Sequence, residues 1–136
     1  MRPGYRIVCE LKATLPATLE ALEAYVEEFR LVFGHWRYST APFAAELLMR
    51  EALVNAVEHG SRREPGRSVR CTARLHARRL IISVVDEGQG FDWRAHWCRP
   101  PDPLAASGRG LDIFRQWATR VRFNRKGNAV TILRRF

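Results

Sequence analysis

The chain has 136 residues, enough for one domain with a real core and too few for two. Apolar residues make up 46% and charged residues 27%, a globular composition that excludes a disordered chain. The net charge of +9 is uneven: residues 1–60 carry 6 Lys+Arg against 8 Asp+Glu, residues 61–136 carry 17 against 6. Such a basic half suits nucleic acid, nucleotide phosphates or an acidic protein, and is also what a solvated arginine-rich surface looks like. The longest apolar stretch, residues 80–85, is far too short to span a bilayer. The first residues hold no apolar signal region, so the expected location is the cytoplasm. Cys9, Cys71 and Cys98 are odd in number and far apart, which argues against a disulfide framework or a CxxC zinc site.

In chain order, Tyr5 to Lys12 alternates loosely and predicts a strand. Pro16 predicts a helix start, with Leu19, Leu22, Val26, Phe29 and Phe33 on one face and Gly34 as the stop. Ser39-Thr40 before Pro42 opens a second helix that runs to about His59 and ends at Gly60. Residues 61–66 read as a loop. Residues 69–76 alternate with a basic outer face, and residues 80–85 form a central strand; a turn at Ala77-Arg78 joins them as a hairpin. Glu87 to Gly110 shows no clear period and is rich in Gly and Pro; loops this long in small domains are usually functional. A third helix over 111–119 and two strands, 121–123 and 129–133, close the chain. The order β-α-α-β-β-loop-α-β-β predicts a single α+β domain over 1–136, a two-layer sandwich with helices on one face of a mixed, mostly antiparallel sheet.

Three clusters carry chemistry. On the second helix, Glu51, Asn55 and His59 are spaced i, i+4, i+8 and share a face, while Met49, Leu53, Ala56 and Val57 can pack on the sheet. An amide oxygen is a hard ligand for Mg²⁺, and a carboxylate one turn away can serve as a base. A solvated polar face would give the same spacing. The second cluster, Asp86-Glu87-Gly88-Gln89-Gly90-Phe91, follows an apolar strand. Its carboxylate can accept from an amino group on a ligand ring, and its glycines let backbone approach closely; a plain glycine turn is the bland alternative. The third, Ser107-Gly108-Arg109-Gly110-Leu111, places free N–H groups and an arginine before a helix, a phosphate cradle or merely a flexible helix start.

Their order along nearly the whole chain resembles the N, G1 and G2 boxes of the GHKL ATP-binding superfamily, the Bergerat fold. The boxes, with Leu15-Pro16-Ala17-Thr18-Leu19 before a helix, are most similar to the anti-sigma factor serine kinases. The resemblance implies that Glu51 is the general base, Asn55 holds Mg²⁺, and Asp86 accepts the adenine amino group, with Gly88 and Gly90 shaping its pocket. It also implies that Gly108, Arg109 and Gly110 meet the phosphates of ATP. It implies a homodimer that binds a sigma factor and a STAS-type anti-sigma antagonist, with no membrane and no direct nucleic-acid contact. The family often has Thr after the last glycine turn, whereas here Gly127 is followed by Asn128 and Ala129. Two other readings stand beside the kinase. One is a nucleotide-binding regulator without transfer activity. The other is a nucleic-acid binder using Arg62, Arg63, Arg67, Arg70 and Arg74, which leaves the three clusters unexplained. Phe91 to Ser107 reads as a lid over the phosphates. The four tryptophans read as core or lid packing, and His96 lacks companions for a zinc site.

Overall fold

The computed structural model describes residues 7–33, 42–62, 64, 66–76, 78–98 and 110–136. Five strands form one sheet in the order β1-β2-β3-β5-β4, and every pairing is antiparallel. β1 spans Ile7–Pro16, β2 Ser68–His76, β3 Arg79–Asp86, β4 Arg120–Phe123 and β5 Ala129–Arg135. α1 (Leu19–Phe33) and α2 (Pro42–Val54) precede β2, while α3 (Trp93–Cys98) and α4 (Gly110–Trp117) lie between β3 and β4. Among the described residues, no helix is long and apolar enough to cross a membrane.

The period-2 pattern settles which sheet face is covered. Val69, Cys71, Ala73 and Leu75 of β2 and Leu80, Ile82 and Val84 of β3 are all buried, as are Val130 and Ile132 of β5. Against them lie Leu22, Tyr25, Val26 and Phe29 of α1 and Leu48, Met49, Ala52 and Leu53 of α2, in one continuous core. The Tyr25 hydroxyl crosses that core to donate to the Leu11 carbonyl at 3.0 Å. Burial drives the Tyr25 phenol well above its usual range and pushes the Cys71 thiol up to about 11, so Cys71 is an inert core thiol.

β1 extends to Pro16, which pairs with Ser68 at the sheet edge, where a missing N–H is tolerated. The expected role of Pro16 as the first helical residue is therefore corrected. The cap is Thr18, whose hydroxyl accepts from the Ala21 N–H at 3.1 Å. The stretch after Glu87, expected to lack structure, contains α3. Asp92 caps it by accepting from the Ala95 N–H at 3.2 Å. Trp93 stacks on Phe123 at 5.3 Å and donates from its indole N–H to the Asn124 carbonyl at 3.0 Å. Trp97 meets the same ring edge-on at 6.3 Å, with the Arg115 guanidinium 4.8 Å from the Trp97 centroid. Trp93 and Trp97 thus serve as packing, anchoring the start of the inter-strand segment on edge strand β4. Residues 99–109, the greater part of the expected lid, lie outside the described residues, as does Trp36.

The second helix does not run as a plain α-helix to His59. From Asn55 to Gly60 it widens to a π-helical turn, closed by the Ser61 N–H bonding to the Ala56 carbonyl five residues back at 2.8 Å. Ala56 and Val57 stay on the core.

Candidate active site

The widened turn ends against the C-terminal end of β3. A Cβ on Gly60 would lie 2.3 Å from the Asp86 carboxyl carbon, so only glycine leaves room for that carboxylate. Gly60 closes the helix as the sequence predicts, but not by adopting the left-handed conformation; Arg62 does that, at φ 51°. A Cβ on Gly88 would lie 2.1 Å from the Gly60 carbonyl oxygen, and the Gly88 N–H donates to Asp86 Oδ1 at 2.7 Å. Gly60, Asp86 and Gly88 therefore form one close-packed joint between helix and strand.

Asp86 is half-buried. Burial holds its carboxyl above the usual aspartate range, opposed by the Gly88 hydrogen bond and by the charges of Lys126 and Arg67. Its Oδ2 takes no hydrogen bond from any described residue, which leaves one acceptor for a ligand N–H.

The next layer is the β4–β5 turn. Gly90 (φ +80°) would place a Cβ 1.8 Å from the Lys126 carbonyl oxygen, and Gly127 (φ +82°) 2.3 Å from the Phe91 carbonyl oxygen. Gly90 is thus required where two backbones meet. Asn128 donates from its side-chain amide to the Asp86 carbonyl at 2.9 Å, while the Asp86 N–H donates to the Asn128 carbonyl at 2.9 Å. Asn124 secures Asn128 in turn. Its Nδ2 donates to Asn128 Oδ1 at 2.6 Å, and its Oδ1 accepts from the N–H groups of Gly127, Asn128 and Ala129 at 2.7, 3.0 and 3.2 Å. The residue standing where the family often has Thr is committed to holding the Asp86 backbone.

Glu51, on α2, and Asn55, the first residue of the π-helical turn, are both half-buried one turn apart; His59 is exposed. Burial raises the Glu51 carboxyl above the ordinary glutamate range, with Arg50 opposing, and no hydrogen bond joins Glu51 to a described residue. A carboxyl moved toward neutrality is a better proton acceptor at physiological pH. Glu46, a carboxylate on the preceding turn of α2, is engaged elsewhere. It accepts from Arg30 Nε at 2.9 Å across the α1–α2 seam and lies 3.9 Å from Arg50, and the Arg30 hydrogen bond lowers its carboxyl below the usual range.

Among the described residues no three His, Cys, Asp or Glu side chains converge on a metal site. Asn55 alone would give a Mg²⁺ ion one protein oxygen, the ion's remaining ligands coming from phosphates and water, which is how Mg²⁺ is commonly held beside a nucleotide. Gly108 and Arg109 lie outside the described residues; Gly110 is the first residue of α4, whose Phe114 is buried in the core.

An antiparallel sheet covered on one face by helices, with a close-packed joint of helix end, strand-end carboxylate and glycines, is the architecture expected of a nucleotide-binding ATPase domain. Residues 12–134 match the family model of the histidine kinase-like ATPase domain, and the chain belongs to that family. No curated protein is significantly similar to it. Domains of this family bind ATP, and the Asp86 joint fits that role: a fixed carboxylate with one open acceptor, in a cradle that a Cβ would fill. Sequence reasoning missed Asn124 as part of this site; it placed Gly60 only at the end of the helix and Asn128 only where the family often has Thr. The signal for Gly60 was its place directly after Glu51-x-x-x-Asn55-x-x-x-His59.

Proposed function

We propose that the protein is an ATP-dependent serine protein kinase of the anti-sigma type. It acts in the cytoplasm as a homodimer, sequesters a sigma factor and phosphorylates a STAS-type antagonist. The observation that carries this reading is the pairing, on one helix, of a half-buried Glu51 carboxyl raised by burial with Asn55 one turn on. That same helix ends in the Gly60–Asp86 joint. Glu51 and Gly60, the glycine that abuts Asp86, are thereby held nine residues apart on a continuous element.

In this mechanism Asp86 Oδ2 accepts from the adenine amino group and sets the depth of the nucleotide. Asn55 would hold Mg²⁺, which neutralises phosphate charge when bound. Glu51 takes the proton of the acceptor serine hydroxyl as its oxygen attacks the γ-phosphorus. The bond from that phosphorus to the β–γ bridging oxygen breaks, and ADP leaves. Gly110, at the start of α4, would present its backbone N–H to a phosphate oxygen.

The test is incubation with labelled ATP, Mg²⁺ and candidate antagonist proteins from the same genome. Label on an antagonist serine, lost with Glu51→Gln, is the expected result. ATP binding without transfer to any antagonist would reduce the protein to a nucleotide-binding regulator. Asp86→Ala removes a charge-assisted hydrogen bond of about 1.5–3 kcal/mol, so ATP and ADP affinity should fall by roughly one to two decades in calorimetry.

A further inference from the structure

The sheet face turned away from the helices has a composition the ATP site does not use. Directly paired residues share a face, so the register gives transverse rows across all five strands. One row runs Lys12, Thr72, Ser83, Thr131, Arg122. The next runs Glu10, Arg74, Ile81, Leu133, Arg120. Arg70 and Val85 lie on one side of these rows, Arg79 and Arg135 on the other. None of these residues is buried. Among the described residues of these rows the one carboxylate is Glu10, which pairs with Arg74 at 3.1 Å; Glu87, just past the end of β3, accepts from the Ser68 N–H at 3.0 Å.

We propose that this outward face is a docking surface for an acidic protein, one that presents carboxylates around an apolar patch. Cations border the face at both edge strands, with Lys12 on β1 and Arg120 and Arg122 on β4. The centre holds half-exposed Ile81, Val85 and Leu133 and the hydroxyl pair Ser83–Thr131, whose oxygens lie 3.5 Å apart. Four inter-strand steps of about 4.8 Å set the borders roughly 19 Å apart. An apolar centre within an arginine-rich rim is the anatomy of a protein interface. Nucleic acid fits less well, because none of the outward side chains named here is Phe, Tyr or Trp, the usual stacking platforms for bases. A second copy fits less well still: a twofold axis on this face would set cationic rows against cationic rows. The proposal does not rest on the kinase reading.

The probe is a labelled helical peptide with a leucine stripe and glutamates elsewhere, with the Glu-to-Gln peptide and a 20-base-pair DNA duplex as comparators. The full chain should bind the glutamate peptide and not its glutamine version. Charge reversal by Arg74→Glu with Arg122→Glu should weaken binding about tenfold or more while ADP affinity is unchanged. The milder Arg120→Gln with Arg122→Gln, on an edge strand that tolerates substitution, should weaken it less and keep the same melting temperature. Equal loss in Arg62→Glu with Arg125→Glu, which lie off this face, would show a net-charge effect and overturn the proposal. Tighter binding of the duplex, lost in the same face variants and steep in salt, would assign the face to nucleic acid instead. A dimer in sedimentation that the face variants dissolve would assign it to a second copy.

Discussion

The two ends of the active site are built to different standards. At the Asp86 end every position is held by close neighbours: Gly60 and Gly88 abut the carboxylate, and the Asn128 side-chain amide clasps the strand end from the other side. At the Glu51 end a carboxyl and an amide stand half-buried, with no hydrogen bond fixing the carboxyl. In the proposed mechanism the binding end is preorganised before ligand arrives, and the chemical end is left for phosphates, metal and acceptor to complete. Recognition would then depend on shape and backbone, and transfer on protonation and charge.

The largest effect expected from breaking this contrast is at Glu51. Glu51→Gln should leave ATP affinity within about twofold and slow transfer by about 10²–10⁴-fold, measured with saturating Mg-ATP. The pH dependence follows from the raised Glu51 carboxyl: transfer should fall as pH drops through a midpoint above the ordinary glutamate value of 4.5. Stability has the opposite sign. In the unfolded chain Glu51 ionises near its ordinary value, whereas in the folded protein it stays protonated to higher pH. Its ionisation therefore opposes folding between those two values, and the penalty is constant above the higher one. Glu51→Gln should match or exceed the wild-type melting temperature near neutral pH, with the difference vanishing below pH about 4.

A smaller loss is expected at the binding end. Gly60→Ala forces a methyl into the Asp86 carboxylate, and overpacking of this kind costs about 1–3 kcal/mol. Nucleotide affinity should fall about ten- to a hundredfold, and calorimetry should show the loss for ADP as much as for ATP, because the γ-phosphate is not involved. Equal affinities of Gly60→Ala and wild type would mean that the carboxylate is not where the ligand binds.

The smallest effect belongs to Asn128. Asn128→Ala removes one neutral hydrogen bond to the Asp86 carbonyl, worth about 0.5–1.5 kcal/mol. Adenine-nucleotide affinity should weaken by roughly two- to tenfold. Asn128→Thr, the residue the family often has there, tests whether a hydroxyl at this position can restore it.

The parts of the structure legible in the sequence are those governed by local period. Alternation over 69–76 and 80–85 gave the buried face of β2 and β3, and the Glu51–Asn55 spacing gave a shared half-buried side. What was not legible depends on distant partners. Pro16 carries the same local signal in a strand edge as at a helix start, and Ser68 across the sheet decides between them. α3 holds its place by stacking on Phe123, some 30 residues further on, so no period announces it. Asn128 reads as a departure from the family's Thr, and what it does instead is seen only in its amide on Asp86, 42 positions away. The glycines of the second cluster were rightly singled out for close approach, but what Gly90 approaches is the turn carbonyl of Lys126.

The π-helical turn from Asn55 to Gly60 also acts as a length gauge. A π-turn accommodates one residue more than the α-helical turn it replaces. Deleting one residue within Ala56–Glu58 would let the segment relax to α-helical bonding with its local hydrogen bonds intact. Because the wide turn absorbs that residue, the deletion would leave Gly60 close to its place against Asp86. One residue inserted into the already widened turn would instead advance Gly60 by about 1.5 Å and turn it by roughly 100° about the helix axis. The joint with Asp86 would then open although no residue of the joint had changed. The placement of Glu51 relative to the Gly60–Asp86 joint is thus set by the count of residues between Glu51 and Gly60 as much as by their identity.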